Sequence, residues 1–337
     1  MDKNYKVMFA AQRCVEIWEE DIPEIADDQV LIETEVSLIS TGTELTMLEA
    51  NVGKDSAWRN AISYPCNPGY SNVGTIVKIG KNVDASWLGK RVLSNSRHHK
   101  YCVRKADAWL RPVPAGVSSD EATFGTLGGV AMASIRAAEI RPGDTVVVFG
   151  AGLVGQLVAR LAKIAGALNV FVADVSDYRL NMLPEEDSFI KVNTMKEDIL
   201  EVLDNKGKKE RARIVFEVTS VGALVEKELK CLQKLGKLII TSSPKDKSVV
   251  DFEYCSEMGL TIIGAHNYAI HTPVWTPRDP WTPNADCIYF MDLLDKKEIS
   301  MANLITHRAS FQEAVEMYGM LMKDRTQAMG VLLDWNK

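Results

Sequence analysis

The run T-V-V-V-F-G-A-G-L-V-G at residues 145–155 restricts the fold of this chain more than any other stretch. Its four consecutive apolar β-formers, residues 146–149, suit a strand covered on both faces. Gly150, Gly152 and Gly155 follow at G-x-G-x-x-G spacing, which permits a tight turn, close backbone approach to a pyrophosphate and close packing of helix on strand. Leu153, Val154, Leu157, Val158, Leu161 and Ile164 then recur at helical spacing, Gly166 supplies a stop, and residues 169–173 restart a strand. That strand runs into Asp174, roughly 20 residues after the last glycine, where an acid accepts a hydrogen bond from the ribose 2′-hydroxyl of a dinucleotide. A carboxylate there repels a 2′-phosphate, so NAD is favoured over NADP. Arg179 stands close enough in sequence to pair with a phosphate or stack on adenine, so the preference is not exclusive. Leu153 and Val154, at the start of the helix, complete the expected cofactor turn.

Composition narrows the setting. A chain of 337 residues, 46% hydrophobic, can bury a full core and make two domains. No apolar run is long enough to span a bilayer and the first residues do not form a signal sequence, so a soluble, cytoplasmic protein is expected, with no membrane partner. A net charge of −6 argues against nucleic acid, which demands clustered Lys and Arg. The cysteines Cys14, Cys66, Cys102, Cys231, Cys255 and Cys287 contain no C-x-x-C pair and are expected to be reduced structural thiols.

Residues 5 to about 115 read as β-rich. Val30, Ile32, Thr34, Val36 and Leu38 alternate with Glu33, Glu35 and Ser37, and Val73, Thr75, Val77 and Ile79 repeat the rhythm, which predicts sheets buried on one face. A helix is expected over 122–140, after the S-S-D-E start at residues 118–121. Strands then alternate with helices: strand 213–218, helix 223–235, strand 237–242 and strand 260–264, the pattern of a doubly wound parallel sheet. Residues 272–283 hold four prolines with Trp275 and Trp281 and fit no regular element, so they are expected to cover a substrate cleft or a subunit interface. A helix at 311–323 and a strand at 329–333 close the chain. The expected fold class is α/β, with a β-rich unit at residues 1–120 and 285–337 and a doubly wound unit at 121–284.

Gly42-Thr43-Glu44, Pro68-Gly69 with Val73-Gly74, Gly89-Lys90-Arg91-Val92, Arg141-Pro142-Gly143-Asp144, the glycine turn and Leu304-Ile305-Thr306-His307 together resemble the medium-chain dehydrogenase/reductase superfamily over essentially the whole chain. The resemblance implies a GroES-like barrel carrying catalysis and a Rossmann domain carrying NAD. It also implies catalytic-zinc positions, and here these read Thr41, Tyr70, Ser71 and Thr126. Neutral hydroxyls do not hold zinc against water, so no metal is expected. The four-cysteine lobe of zinc-bearing relatives is missing as well, since residues 89–101 contain no cysteine. The full glycine set and Ser40-Thr41-Gly42-Thr43-Glu44 look like the bacteriochlorophyllide dehydrogenase branch of alcohol dehydrogenases. Enone or quinone reductases are the competing zinc-free group.

Alcohol oxidation without a metal faces a proton problem: a hydroxyl of pKa near 15.7 against an imidazole near 6.5 leaves a gap of roughly 9 units, about 12 kcal/mol. Proton transfer must then be concerted with hydride departure and use a positioned base. The resemblance makes Thr43 a hydroxyl relay, aims His98 into the substrate pocket as the base, and puts Tyr70 in the vacated ligand position as a donor or as filler. Glu44 is a base or a buried acid paired with an arginine. His99 is expected to face solvent. Thr219 is counted with the cofactor residues, and His266, with Asn267, falls near the nicotinamide of relatives. The expected activity is NAD-dependent oxidation of a secondary alcohol such as a polyol, sugar or cyclitol. A catalytically silent nucleotide sensor is the alternative of another class. The apolar strand at 260–263, at a sheet edge, predicts a homodimer or homotetramer.

Overall fold

The computed structural model describes residues 3–106, 109–206, 211–266 and 281–336. By internal contacts the chain divides into one unit of Met1–Val52, Ala57–Thr126 and Cys287–Lys337, and another of Gly53–Ser56 and Leu127–Asp286.

In the first unit β1 (Lys3–Ala11) and β2 (Cys14–Asp21) form an antiparallel hairpin. The main sheet is built on β3 (Gln29–Ile39), with β4 (Asn72–Ile79) antiparallel along one side. β5 (Arg91–Ser94) extends from β4, β6 (Tyr101–Lys105) pairs with the first half of β3, and β7 (Arg111–Pro112) pairs with β5. From the end of the chain, β14 (Ile305–Ser310) lies parallel to β15 (Gly330–Asp334), and β15 takes the second half of β3. Because β3 has partners along both sides, its simple alternation fails: Ser37, an outward polar position by sequence, is 0% exposed.

The core beneath that end of β3 joins Val7, Phe9, Ile39, Leu45, Tyr318, Leu333 and Trp335. The Trp335 ring stacks on Phe311 at 4.8 Å between centroids, and Tyr318 meets Phe9 edge-on at 5.2 Å. Each such pair is worth about 0.5–1.5 kcal/mol beyond its buried area. The core also receives a helix, Thr41–Glu49, within the stretch that the β-rich reading covered. Ser40 and Thr41 start that helix, whose inward residues Leu45 and Leu48 are both fully buried.

In the second unit β8 (Thr145–Phe149), β9 (Asn169–Asp174), β10 (Phe189–Asn193), β11 (Ala212–Glu217), β12 (Leu232–Ile240) and β13 (Thr261–Gly264) make a parallel sheet in the order β10-β9-β8-β11-β12-β13. Val146, Val147 and Val148 are fully buried because β8 is an interior strand, which is why its sequence runs apolar without alternation. The helix Leu153–Ile164 buries Leu157, Val158 and Leu161. The helix expected over 223–235 is shorter, Val225–Lys230, because β12 already begins at Leu232 and Leu235 takes φ 62°. The helix expected over 122–140 is broken into Ser119–Ala122, capped by the Ser118 hydroxyl, and Gly125–Ala138. No helix among the described residues is long and apolar enough to cross a membrane.

Candidate active site

The glycine turn is built as its spacing predicts. Gly150 takes φ +102°, and a Cβ on Gly155 would collide with the Gly150 carbonyl oxygen, so the turn closes only with glycine at both places. Gly152 caps the helix Leu153–Ile164 without a side-chain hydrogen bond and has open space where a Cβ would stand. The first N–H groups of that helix carry the partial positive charge of its N-terminus. Leu153 is buried and Val154 half-buried beside them.

Asp174 ends β9 with its carboxylate braced by backbone, Ala151 N–H to Oδ2 at 2.7 Å and Ser176 N–H to Oδ1 at 2.9 Å. Each oxygen keeps a lone pair for a ribose hydroxyl. This cradle fits a dinucleotide: a bare helix N-terminus, a turn without side chains and a fixed carboxylate. Arg179 is tied to the same region through its N–H to the Ser176 hydroxyl, 3.4 Å, and its carbonyl to Gln156, 2.8 Å. Thr219 is engaged by its own loop, since its N–H (2.6 Å) and hydroxyl (2.7 Å) both donate to Glu217 Oε1. Ser220 N–H joins that oxygen at 2.8 Å and the Ser242 hydroxyl takes the other. His266 is exposed just beyond β13. Asn267 and the proline-rich residues up to 280 lie outside the described residues; Trp281, at their end, has the Arg136 guanidinium 3.3 Å over its ring.

One further acid sits in this unit. Glu228, on the helix Val225–Lys230, is fully buried and neither of its oxygens has a hydrogen-bond partner among the described residues. Burial, and then the neighbouring Glu217 charge, push its pKa up from 4.5 to about 8.

In the first unit the structure gathers all four sequence-predicted catalytic residues, in an arrangement the sequence did not show. Tyr70 and Thr43 are half-buried. The Tyr70 hydroxyl donates to Ser40 Oγ and lies 3.4 Å from Thr43 Oγ1. Burial holds the Tyr70 hydroxyl above its ordinary value of 10, with the Glu44 charge adding to the rise and the Ser40 and Thr43 bonds opposing it. Thr43 is in the first turn of a helix rather than in a loop.

Glu44 is 1% exposed and accepts from Ser40 N–H at 2.8 Å through Oε1. Its Oε2 meets His98 Nε2 at 3.1 Å and accepts from the Tyr318 hydroxyl. The expected arginine partner is replaced by these three groups. His98 Nδ1 lies 2.8 Å from Ser37 Oγ, which also accepts from Trp335 Nε1 at 2.8 Å. The pocket-facing placement of His98 is therefore corrected: the ring is 0% exposed and both its nitrogens are engaged. Gly69 makes room for it, since a Cβ there would stand 2.7 Å from His98 Cδ2. His99 does not face solvent either. It bridges to Lys6 of β1 and is half-buried, and burial, opposed by Glu20 and reinforced by Lys6, lowers its pKa to about 4.

The zinc positions of the resemblance hold no ligand set. Tyr70 is bonded to Ser40, the Ser71 hydroxyl donates to Thr123 O, and Thr126 Oγ1 is a buried neutral oxygen without a partner among the described residues. Among the described residues no three His, Cys, Asp or Glu side chains come together to hold a metal ion. These residues do not fit zinc.

Sequence reasoning missed Ser37, Ser40, Tyr318 and Trp335. Ser40 adjoins the Thr43-Glu44 motif and was within reach of it; Tyr318 and Trp335 carried no signal beyond being large apolar residues in closing elements.

A two-unit architecture of this kind, with a 3-2-1-4-5-6 parallel sheet and a β-rich companion, defines a nucleotide-dependent dehydrogenase class of fold. Residues 26–139 match the alcohol dehydrogenase GroES-like domain family and residues 154–277 the zinc-binding dehydrogenase family. The L-threonine 3-dehydrogenase of Anaeromyxobacter sp. (strain K) is 24% identical, covering 98% of this chain and 99% of its own. Among solved structures, a short chain alcohol dehydrogenase from E. coli CFT073 complexed with NADH is similar at TM-score 0.84 and 18% identity, covering 99% of this chain and 100% of its own. Galactitol-1-phosphate dehydrogenase from Escherichia coli is similar at TM-score 0.83 and 19% identity, covering 98% and 100%. The chain belongs to the medium-chain dehydrogenase/reductase superfamily.

Proposed function

We propose that this protein is an NAD(H)-dependent oxidoreductase that interconverts a secondary alcohol and its ketone without zinc, acting on a polyol, sugar or cyclitol. The observation that carries the reading is the Tyr70–Ser40–Thr43 hydroxyl cluster, half-buried at Tyr70 and Thr43, beside the buried Glu44 carboxyl group, in a chain that also has the Asp174 cradle. The named activities of the relatives, on threonine, alcohols and a polyol phosphate, support the class.

A bound nicotinamide supplies or accepts the hydride. Gly150, Gly152, Leu153, Val154 and Gly155 would hold the pyrophosphate, Asp174 and Arg179 the adenosine side, and Thr219 and His266 the nicotinamide side. In ketone reduction Tyr70 gives its proton to the developing oxyanion, a transfer downhill by less than the roughly 6 pKa units that separate an ordinary phenol near 10 from an alcohol near 15.7, because burial holds this phenol above 10. Thr43 donates or accepts beside it, and Ser40 Oγ is the hydroxyl next in line behind Tyr70. Because burial keeps Tyr70 protonated, alcohol oxidation is the harder direction at neutral pH and gains as pH rises into the alkaline range.

Stopped-flow and steady-state assays with NADH and a panel of keto-sugars and keto-polyols test this. Tyr70→Phe should lower the reduction rate about 10²–10⁴-fold with cofactor affinity retained. Unchanged turnover in that variant would remove Tyr70 from the chemistry. NADH should bind more tightly than NADPH, and Asp174→Ala should narrow the gap; equal affinities in the unaltered protein would refute the NAD preference. Elemental analysis should find no stoichiometric zinc, whereas one tightly held zinc with chelator-sensitive activity would end the metal-free reading. The β13 edge leaves Thr261, Ile262 and Gly264 exposed, so a homodimer or homotetramer paired along it is expected by sedimentation.

A further inference from the structure

The buried groups behind Tyr70 admit only one arrangement of protons. The Trp335 indole can only donate, so the Ser37 oxygen is its acceptor. Ser37 is 0% exposed, and its own hydrogen finds no acceptor among the described residues other than His98 Nδ1. Nδ1 must then be a lone pair, and the ring hydrogen sits on Nε2, aimed at Glu44 Oε2. An imidazolium would donate from Nδ1 and strand the Ser37 hydrogen in the core, at the cost of an unmet donor. The opposite neutral tautomer would strand it too, and would turn the Nε2 lone pair against the Glu44 oxygen. Glu44, with Ser40 N–H, His98 Nε2–H and Tyr318 O–H all pointing at it, is the carboxylate that three donors favour.

We propose that His98 is a positioning residue rather than the proton acceptor: backed by Trp335 through Ser37, it stays a neutral Nε2–H imidazole that, with Tyr318, holds the Glu44 carboxylate, which in turn fixes Ser40 against Tyr70. This rests on the reading of Tyr70 as the proton donor for its catalytic part; the tautomer stands without it. The charged and titratable groups around the ring are Glu44, Tyr318 behind that carboxylate, and the chain neighbours Arg97 and His99. The arrangement draws on three elements and two connecting positions: β3 gives Ser37, the helix Thr41–Glu49 gives Glu44 and the helix Ala314–Lys323 gives Tyr318, while His98 lies between β5 and β6 and Trp335 directly follows β15.

Nitrogen-15 NMR of histidine-labelled full-length protein, with His98→Gln used for assignment, tests the tautomer directly. A single neutral Nε2–H signature for His98 at neutral pH is the expected result. An imidazolium or an Nδ1–H tautomer would overturn the proposal, whether or not a substrate has been found. The second arm is kinetic. His98→Gln keeps a donor for Glu44 and removes any imidazole base, so kcat should stay within about threefold of the unaltered enzyme and the pH profile should keep its shape. His98→Leu leaves Glu44 short of a donor and should lose about tenfold in kcat with little change in KM. A drop of 10²-fold or more in His98→Gln, with the acid limb of the pH profile gone, would make His98 the base and sink the positioning role. Absence of turnover in every form, with the expected NMR signature, would overturn the oxidoreductase reading and leave the tautomer assignment standing.

Discussion

Two buried glutamates, one in each unit, have opposite fates. Glu44 and Glu228 are both essentially sealed from solvent. Glu44 has three donors converging on its two oxygens, while Glu228 has no hydrogen-bond partner among the described residues and a second acid, Glu217, for a neighbour. Burial alone drives a carboxyl toward its neutral form; the donors decide whether that drive wins. At Glu44 the surroundings supply donors to both oxygens. At Glu228 they supply none among the described residues, and the proton stays on up to about pH 8.

The largest effect that would break this contrast comes from removing Glu44. Glu44→Ala leaves Ser40 N–H, His98 Nε2–H and Tyr318 O–H without their acceptor, and should destabilise the protein by about 3–5 kcal/mol in urea unfolding. A loss below about 1 kcal/mol would mean that water or rearrangement meets those donors, and that the carboxylate is not the centre of the network.

A smaller change of opposite sign is expected at Glu228. The folded state keeps this proton to about pH 8, whereas an unfolded glutamate releases it near 4.5, so the side chain costs progressively more stability as pH rises between those values. Glu228→Gln cannot ionise, and should raise stability at pH 8 by about 1–2 kcal/mol, with the gain fading toward pH 5. Destabilisation that is the same at both pH values would show that the carboxyl has a partner which the glutamine loses.

The smallest expected effect is the coupling between the two. Glu44 and Glu228 share no hydrogen-bond partner, so the double variant should equal the sum of the single ones within about 0.5 kcal/mol. A larger coupling energy would show that the units respond to each other's charge.

The second unit was the more legible of the two from sequence because its information is local. A strand, turn and helix over residues 145–164 carry their own periodicity, and Asp174 is placed by chain length alone. The first unit's fold class was legible from the β-rich rhythm, but its polar network was not. Ser37 alternates with apolar residues like any solvent-facing position, and the groups that make it interior lie far away, His98 at 61 positions and Trp335 at 298. Glu44 presented the same difficulty, with Tyr318 274 positions on. The residue types at Thr43, Glu44, Tyr70 and His98 marked a polar site, whereas which of them faces outward depended on contacts between elements that no spacing encodes.

That separation of 298 positions between Ser37 and Trp335 has a consequence for biosynthesis. At about 5–20 residues per second a ribosome needs roughly 15 to 60 s between the two, and for most of that interval Ser37 and Glu44 have been made while their closing donors, Trp335 and Tyr318, have not. The nascent β-rich half must hold an unfinished polar interior until the final strand emerges, whereas the sheet around the glycine turn is complete in sequence much earlier. A chaperone that captures this chain during translation should therefore find its exposed, unpaired face on the half that was synthesised first.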